Sequence, residues 1–247
     1  MRLNGLIDHG GYRSLRETYI ADGYVVIKGL LSEVVLNELC EEILSCFRCF
    51  SNDRTLNLSQ IIQSLNNLDM TELHNAHKVA NRLVGLSKLD LIFAEVCKEL
   101  SNNDFPVISI AKGLLLGIPA DERLVYDFHQ ESNYMSDFEE IFNVHYPMLG
   151  SATISNGTMS VLKGSHCLGN LGFSESKRSS NSYTDKVPLG IEEIKSKFPE
   201  VHCGLERGDV LFFDQHLVHK SNRNLSSECR LVGVSRLTQD VNGTFVV

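Results

Sequence analysis

Short apolar segments separated by turn residues fill the chain from about residue 105 onward. Their Val, Ile and Phe content and their Gly, Asn and Ser boundaries predict β-strands. The predicted strands are FPVISI, KGLLLGI, VYDFHQE, IFNVHYPML, GTMSVL and the segments at 210–213 and 231–237. Because many short strands close together in sequence are typical of antiparallel sandwiches and barrels, we predict such a core in this half of the chain.

The first hundred residues instead show helical periodicity, interrupted by one strand. The predicted elements are a helix at Tyr12–Ala21, a strand at Tyr24–Lys28, a helix that Ser32 caps, and helices near 58–67 and 70–101. The last of these helices is predicted to break near Gly85. The leucines predicted to face the core in this last stretch are Leu73, Leu83, Leu86 and Leu91.

Length and composition limit the class of protein. A chain of 247 residues, 43% of them hydrophobic, can bury a large core, so we predict one domain with a helical part at about 1–103 and a β-rich core at about 104–247. No apolar run approaches the roughly eighteen residues of a membrane span, and no apolar signal core opens the chain. A net charge of −8 and seven cysteines without framework spacing favour a cytoplasmic protein that binds neither nucleic acid nor membrane.

The FHQES motif within the predicted core can contribute metal ligands. It contains His129 and Glu131, which are two residues apart. In a strand, residues i and i+2 point to the same side, so both side chains can face one metal while Gln130 points away. A histidine followed by an acid two residues later is common, so the motif requires a further ligand elsewhere.

Residues 207–237 offer that ligand and a candidate anion-binding residue. The segment predicts two antiparallel strands, with His216 and His219 after the first and Arg230 at the start of the second. Two histidines and one carboxylate form the facial arrangement typical of non-haem iron(II). The guanidinium of Arg230 has the shape to hold a carboxylate with two parallel hydrogen bonds. The residues alone leave His216 and His219 as alternatives for the third ligand.

Five segments of the chain follow one another in the order typical of one enzyme family. They are ADGYVVIKGLLS (21–32), FHQES (128–132), NGTMSVLKGSH (156–166), ERGDVLFFDQHLVHKSNRN (206–224) and CRL (229–231). Together they resemble the phytanoyl-CoA dioxygenase-like family of iron(II)- and 2-oxoglutarate-dependent oxygenases, over roughly residues 15–237. The resemblance implies a mainly β fold with N-terminal helices, in which a double-stranded β-helix (a cupin-like jelly roll) has those helices packed outside its sheet.

The resemblance also implies a site for iron(II) and for 2-oxoglutarate as cosubstrate. The implied iron ligands are His129, Glu131 and His219. His219 is preferred to His216 because HKSNRN matches the family's His-x-Ser-x-x-Asn pattern. Arg230, eleven residues after His219, and Ser221 are implied to hold the distal carboxylate of 2-oxoglutarate.

The implied reaction uses O2 to oxidise a small-molecule substrate while 2-oxoglutarate is converted to succinate and carbon dioxide. Hydroxylation is the expected outcome. Glu131 favours oxygen transfer over halogenation, because related halogenases have a small residue at that position. The alternatives are desaturation, cyclisation or epimerisation at the same site, or a non-catalytic jelly-roll protein that binds a ligand. We expect a monomer or a homodimer.

Four further residues are predicted to lie near the bound molecules. Tyr146 stands where the family has an aromatic residue in the cosubstrate pocket, although a packed core tyrosine is the alternative. Asn143 and His145 share one face of the same predicted strand and are expected to line the substrate side. Lys112, on an earlier strand, is expected to lie at the substrate and to pair with a carboxylate.

A polar segment at about 167–203 is predicted to form a lid loop over the metal. It is rich in Ser and Asn, and the resemblance places a variable loop there. Long polar loops in compact domains are usually lids or disordered. We therefore expect residues 170–186 to be mobile in the absence of substrate.

Overall fold

The computed structural model describes residues 14–123, 125–177 and 184–240. Its helices are α1 (Leu15–Asp22), α2 (Glu33–Arg48), α3 (Leu58–Leu68), α4 (Met70–Leu83), α5 (Asp90–Ser101) and α6 (Ile191–Lys197). Its strands are β1 (Tyr24–Ile27), β2 (Val107–Gly117), β3 (Phe142–Leu149), β4 (Ser160–Leu162), β5 (Phe173–Lys177), β6 (Thr184–Pro188), β7 (Glu200–His202), β8 (Val210–Asp214), β9 (His219–Lys220) and β10 (Arg230–Gln239). None of the described helices is long and apolar enough to cross a membrane.

Polar side chains fix where the first helices begin. The Ser32 hydroxyl accepts a hydrogen bond from the Val35 amide, which confirms the predicted cap of α2. Ser14 and Glu17 form a reciprocal capping box, and the described helix α1 begins at Leu15. The predicted start at Tyr12 lies outside the described residues.

The break between α4 and α5 changes which leucines are buried. A 3-10 turn at Leu86–Leu89 separates the two helices and restarts the helical phase. Leu73 and Leu86 are buried as predicted, with 3% and 2% of their surface exposed. Leu83 and Leu91 are 71% and 82% exposed, so the prediction for these two is wrong. Leu91 lies beyond the break, so one helical period carried across it assigns this residue to the wrong face. Leu83 lies before the break, as the last residue of α4.

The difference in burial between Leu73 and Leu83 of α4 can be tested by mutation. We expect Leu73→Ala to lower the free energy of unfolding by about 2–5 kcal/mol, because it leaves a cavity in the core. Leu83→Ala is the matched control and should change it by no more than about 0.5 kcal/mol. Urea denaturation of both variants measures the two values. Equal losses would show that the burial of this helix is misassigned.

Two antiparallel sheets form the core. The larger has the strand order β1-β8-β3-β10-β2, the smaller has the order β7-β4-β9, and β5 and β6 form a separate hairpin. Phe212 of β8 packs with the helices, whereas Phe213 packs with residues of the smaller sheet. Because neighbouring strand residues point to opposite faces, the larger sheet has the helices on one side and the smaller sheet on the other. This arrangement confirms the predicted jelly roll with helices packed outside the sheet.

The predicted pairing of the segments at 210–213 and 231–237 is wrong. β3 lies between β8 and β10 in the larger sheet. β9, which carries His219, pairs with β4 of the smaller sheet. His219 and Arg230 therefore lie on different sheets rather than on neighbouring strands of one sheet.

The predicted strand VYDFHQE is not formed either. His129 makes an isolated β-bridge to His219, and Glu131 begins a 3-10 turn at Glu131–Asn133. The alternation of faces in a strand is therefore not the reason that His129 and Glu131 lie close together. The tight turn after the bridge brings the carboxylate back towards the imidazole.

The predicted lid loop at 167–203 contains β5, β6, α6 and β7 rather than structureless chain. The Tyr134 hydroxyl donates to the Thr184 carbonyl at 3.3 Å and accepts from the Lys186 amide at 2.9 Å. These bonds fasten the β5–β6 hairpin to the segment after Glu131. Residues 178–183 lie outside the described residues, and the mobility of 170–186 stays a prediction for hydrogen exchange.

Candidate metal centre and cosubstrate site

A backbone bridge holds His129 and His219 side by side. The His129 amide donates to the His219 carbonyl at 2.9 Å, and the His219 amide donates to the His129 carbonyl at 3.0 Å. The two imidazole centroids are 4.1 Å apart. Because His219 belongs to a strand of the smaller sheet, the bridge anchors the FHQES motif to the core.

The Nδ1 atom of each imidazole is occupied by a backbone carbonyl. His129 Nδ1 lies 2.6 Å from the Asp127 carbonyl oxygen, and His219 Nδ1 lies 2.8 Å from that of Leu217. A carbonyl oxygen only accepts, so Nδ1 carries the proton and Nε2 keeps its lone pair. Burial lowers the pKa of both imidazoles and so keeps them neutral. Both rings are thus prepared to bind a metal through Nε2.

Glu131 contributes a carboxylate to this pair from the start of the 3-10 turn. One ligand atom from each of His129, Glu131 and His219 lies within 4.8 Å of the others. Glu131 is buried, and its Oε1 accepts a hydrogen bond from Arg236 Nε at 2.6 Å. Two neutral imidazoles and one carboxylate at this spacing fit the facial triad of non-haem iron(II).

His216, the alternative third ligand, lies outside this cluster. Its Nδ1 is 3.1 Å from the Ser132 hydroxyl. Among the described residues, the group positioned for a metal includes His219 and does not include His216. The structure therefore brings together the three ligands that the resemblance implied.

A cavity of about 260 Å³ opens beside the cluster, and Arg230 and Ser221 line it. Arg230 Nε donates to the Asn156 carbonyl at 3.1 Å, and no carboxylate among the described residues pairs with this guanidinium. Gly117 faces Arg230 across the β2–β10 pair, where a Cβ would lie 3.1 Å from Arg230 Nε. Burial lowers the pKa of Arg230 to about 10, which still leaves it charged. A partly buried cation without a counter-charge is costly, so this end of the cavity favours an anionic ligand.

Arg236 also lines the cavity, but it is not among the predicted site residues. It lies on β10 six residues after Arg230. Residues an even number of positions apart on a strand share a face. The even spacing from Arg230 is therefore the sequence signal that could have identified Arg236 as a site residue.

His145 and Asn143 lie on the inner face of β3, towards the smaller sheet. His145 lines the cavity, and burial, with help from Arg236 and Arg230, lowers its pKa to about 3. Asn143, two residues before His145 on β3, is buried, and its Nδ2 lies 3.5 Å from the Phe213 carbonyl oxygen. The structure thus places His145 at the site and Asn143 just behind the cavity wall.

Tyr146 and Lys112 lie on the helix side of the larger sheet, away from the cavity in which their contacts were predicted. Tyr146 follows His145 directly and points to the opposite face, where its ring lies 5.3 Å from that of Phe93. The packed core tyrosine, the alternative reading of Tyr146, is the one the structure supports. Lys112 pairs with Asp90 of α5 on the helix side of the larger sheet. Lys112 does pair with a carboxylate, but that carboxylate belongs to Asp90 of the same chain.

A family model described as phytanoyl-CoA dioxygenase (PhyH) matches residues 19–232, most of the chain. The chain belongs to the PhyH family. No curated protein matches this PhyH-family chain in a sequence comparison.

Solved structures share the fold at low sequence identity. The crystal structure of EctD from S. alaskensis with 2-oxoglutarate and 5-hydroxyectoine is 17% identical, has a TM-score of 0.62, and covers 98% of this chain and 79% of its own. AviO1 from Streptomyces viridochromogenes Tue57 is 15% identical with a TM-score of 0.58, and the match covers 92% of this chain and 94% of AviO1. The epimerase SnoN in complex with Fe3+, alpha ketoglutarate and nogalamycin RO is 16% identical with a TM-score of 0.58. The match covers 94% of this chain and 91% of SnoN. At such identities these matches establish the fold of the PhyH-family chain.

Proposed function

We propose that this chain is a non-haem iron(II)- and 2-oxoglutarate-dependent oxygenase that hydroxylates a small molecule. One observation carries the proposal. A single cavity contains both the metal-binding cluster and the Arg230 guanidinium, which has no carboxylate partner among the described residues. The first feature suits iron and the second suits the distal carboxylate of 2-oxoglutarate. The EctD and SnoN structures, solved with 2-oxoglutarate or with iron and alpha ketoglutarate, support the same pairing of ligands.

Each residue of the site has a distinct role in this proposal. His129, Glu131 and His219 would hold iron on one face and leave the opposite positions open. Bound iron supplies oxygen activation coupled to the oxidative decarboxylation of 2-oxoglutarate to succinate and carbon dioxide. Arg230 and Ser221 bind and orient the distal carboxylate from the cavity wall. The cavity itself holds the substrate and limits the access of water.

Substrate-stimulated succinate formation tests this function. We expect the iron-loaded protein, supplied with 2-oxoglutarate and air, to form succinate well above its basal rate when a substrate from a small-molecule panel is added. Mass analysis of the product separates hydroxylation, which adds one oxygen atom, from desaturation, ring closure or epimerisation. Glu131→Ala is the control and should form no succinate. A protein that binds iron and 2-oxoglutarate but forms no succinate with any member of the panel would contradict the proposal and favour a ligand-binding jelly roll.

A further inference from the structure

Arg236 keeps part of its hydrogen-bonding capacity for a ligand. Its Nε donates to Glu131 Oε1 at 2.6 Å, while Nη1 and Nη2 donate to no other residue in the described part of the chain. These two nitrogens form the end of the guanidinium that binds carboxylates with two parallel bonds. The side chain lines the cavity and is 25% exposed. A binding-competent cation thus remains beside the metal ligands.

The charges of the loaded cavity leave one positive charge without a partner. The charged side chains in the described cavity wall are Glu131, Arg230 and Arg236. The two positive charges of iron(II) and the two negative charges of 2-oxoglutarate cancel. Glu131 then compensates one arginine. Asp185 of β6 also acts electrostatically on His129, but it does not line the cavity.

The imidazoles do not change the net charge of the loaded cavity. Histidines that bind a metal do so in the neutral form. The pKa of His145 is lowered to about 3, chiefly by burial, so His145 is also uncharged near neutral pH. The net charge of +1 therefore belongs to the loaded cavity as a whole. Arg230 is the arginine assigned to 2-oxoglutarate, whereas Arg236 pairs with Glu131 through Nε and keeps Nη1 and Nη2 without a partner in the described part of the chain.

The surroundings of Arg236 indicate what kind of molecule completes the cavity. Asn143 is its cross-strand partner on β3, and Asn143 Oδ1 is buried without a partner among the described residues. The remaining walls include Leu115, Met159, Tyr126 and Tyr134. The site thus combines one polar, positively charged end with apolar and aromatic walls.

We infer that Arg236 binds a carboxylate of the substrate, so that the enzyme acts on a monoanionic molecule with an apolar or aromatic body. This inference rests on the proposed function. A single negative charge matches the single uncompensated positive charge, whereas a doubly charged phosphate exceeds it. The flat pair of Nη donors fits the two oxygens of a carboxylate. Arg236 is then the residue that determines substrate specificity, distinct from Arg230, which holds the cosubstrate.

Binding of benzoate and of its uncharged analogue benzamide tests the inference. The protein is loaded with Ni(II), which takes the place of iron without turnover, and with 2-oxoglutarate, and each probe is titrated by calorimetry. We expect benzoate to bind at least about tenfold more tightly than benzamide, because the charge-assisted bonds form only with the carboxylate. Arg236→Gln should remove that preference, and Arg236→Lys should restore part of it. Lys195→Gln, which removes an exposed charge on α6, is the matched control and should leave the preference intact.

Four results would overturn the inference. Benzoate that binds wild type no better than benzamide, or equally well to Arg236→Gln, would exclude a carboxylate site at Arg236. An Arg236→Gln variant that loses 2-oxoglutarate would assign Arg236 to the cosubstrate instead. Failure of the wild-type protein to bind Ni(II) and 2-oxoglutarate at all would contradict the proposed function and this inference with it. Loading is measured before either probe is added, so the two kinds of failure are distinguishable.

Discussion

Arg230→Ala is expected to weaken 2-oxoglutarate binding by about two orders of magnitude or more, since each charge-assisted hydrogen bond contributes about 1.5–3 kcal/mol and about 1.4 kcal/mol is tenfold. The structure supports a large effect because the half-buried guanidinium lines the cavity and has no competing carboxylate among the described residues. Arg230→Lys should recover only part of the loss, because an ammonium does not reproduce the two-pronged contact. Titration of 2-oxoglutarate into the anaerobic iron(II) protein measures its affinity for the wild type and for both variants.

Two further measurements make this result specific to the cosubstrate. Iron affinity should be unchanged in Arg230→Ala, because Arg230 is not a ligand of the cluster. Lys112→Ala, which removes a cation on the helix side of the sheet, should bind 2-oxoglutarate as wild type does. If Arg230→Ala keeps wild-type affinity, then Arg236 or another cation holds the cosubstrate, or the protein does not use it.

Loss of any one metal ligand is expected to abolish iron binding. His129→Ala, Glu131→Ala and His219→Ala each remove one donor from a cluster whose ligand atoms lie within 4.8 Å of one another. Removing a residue that only supports a ligand typically lowers metal affinity about 10–100-fold, so removing the ligand itself should lower it by more. Anaerobic iron titration of the purified variants measures this loss.

His216→Ala is the matched control for the ligand variants. It removes a histidine three residues from His219 whose ring contacts Ser132 rather than the cluster. Its iron affinity should stay within a few-fold of wild type. An inactive His216→Ala together with an active His219→Ala would show that the third ligand is assigned to the wrong histidine.

The residues of the metal cluster could be predicted from the sequence, but the reason for their proximity could not. The spacing within HKSNRN and the eleven residues between His219 and Arg230 are features of the linear chain. The bridge between His129 and His219 is a contact between segments ninety residues apart, and no local pattern encodes it. The i, i+2 argument therefore selected two residues that the structure does bring together, but it did so from a strand that the chain does not form.

Differences between the predicted and the observed positions in the rest of the site follow from which face of a strand a residue occupies. Tyr146 and His145 are adjacent on β3, and a shift of one residue separates the cavity from the core. The resemblance gave an approximate position for the aromatic residue, which is not accurate enough to choose between the two faces. Arg236 could have been predicted from the same rule, since it shares a face with Arg230.

The order of strands in the larger sheet lies beyond what the sequence alone can specify. The apolar segments that form β3, β8 and β10 are each readable as strands, but their order depends on long-range packing. β3 inserts between the other two and so presents His145 between them. The exposed Leu91 has a similar cause, because a short turn between helices resets a period that is local to each helix.

The most direct test of the central claim is the absorption spectrum of the anaerobic iron(II) protein before and after 2-oxoglutarate is added. Chelation of iron(II) by the keto acid produces a weak visible charge-transfer band. We predict that the band forms in the wild-type protein, is absent from His219→Ala, and forms only at much higher 2-oxoglutarate concentration in Arg230→Ala. A wild-type protein that binds iron(II) but shows no band with saturating 2-oxoglutarate would contradict the account.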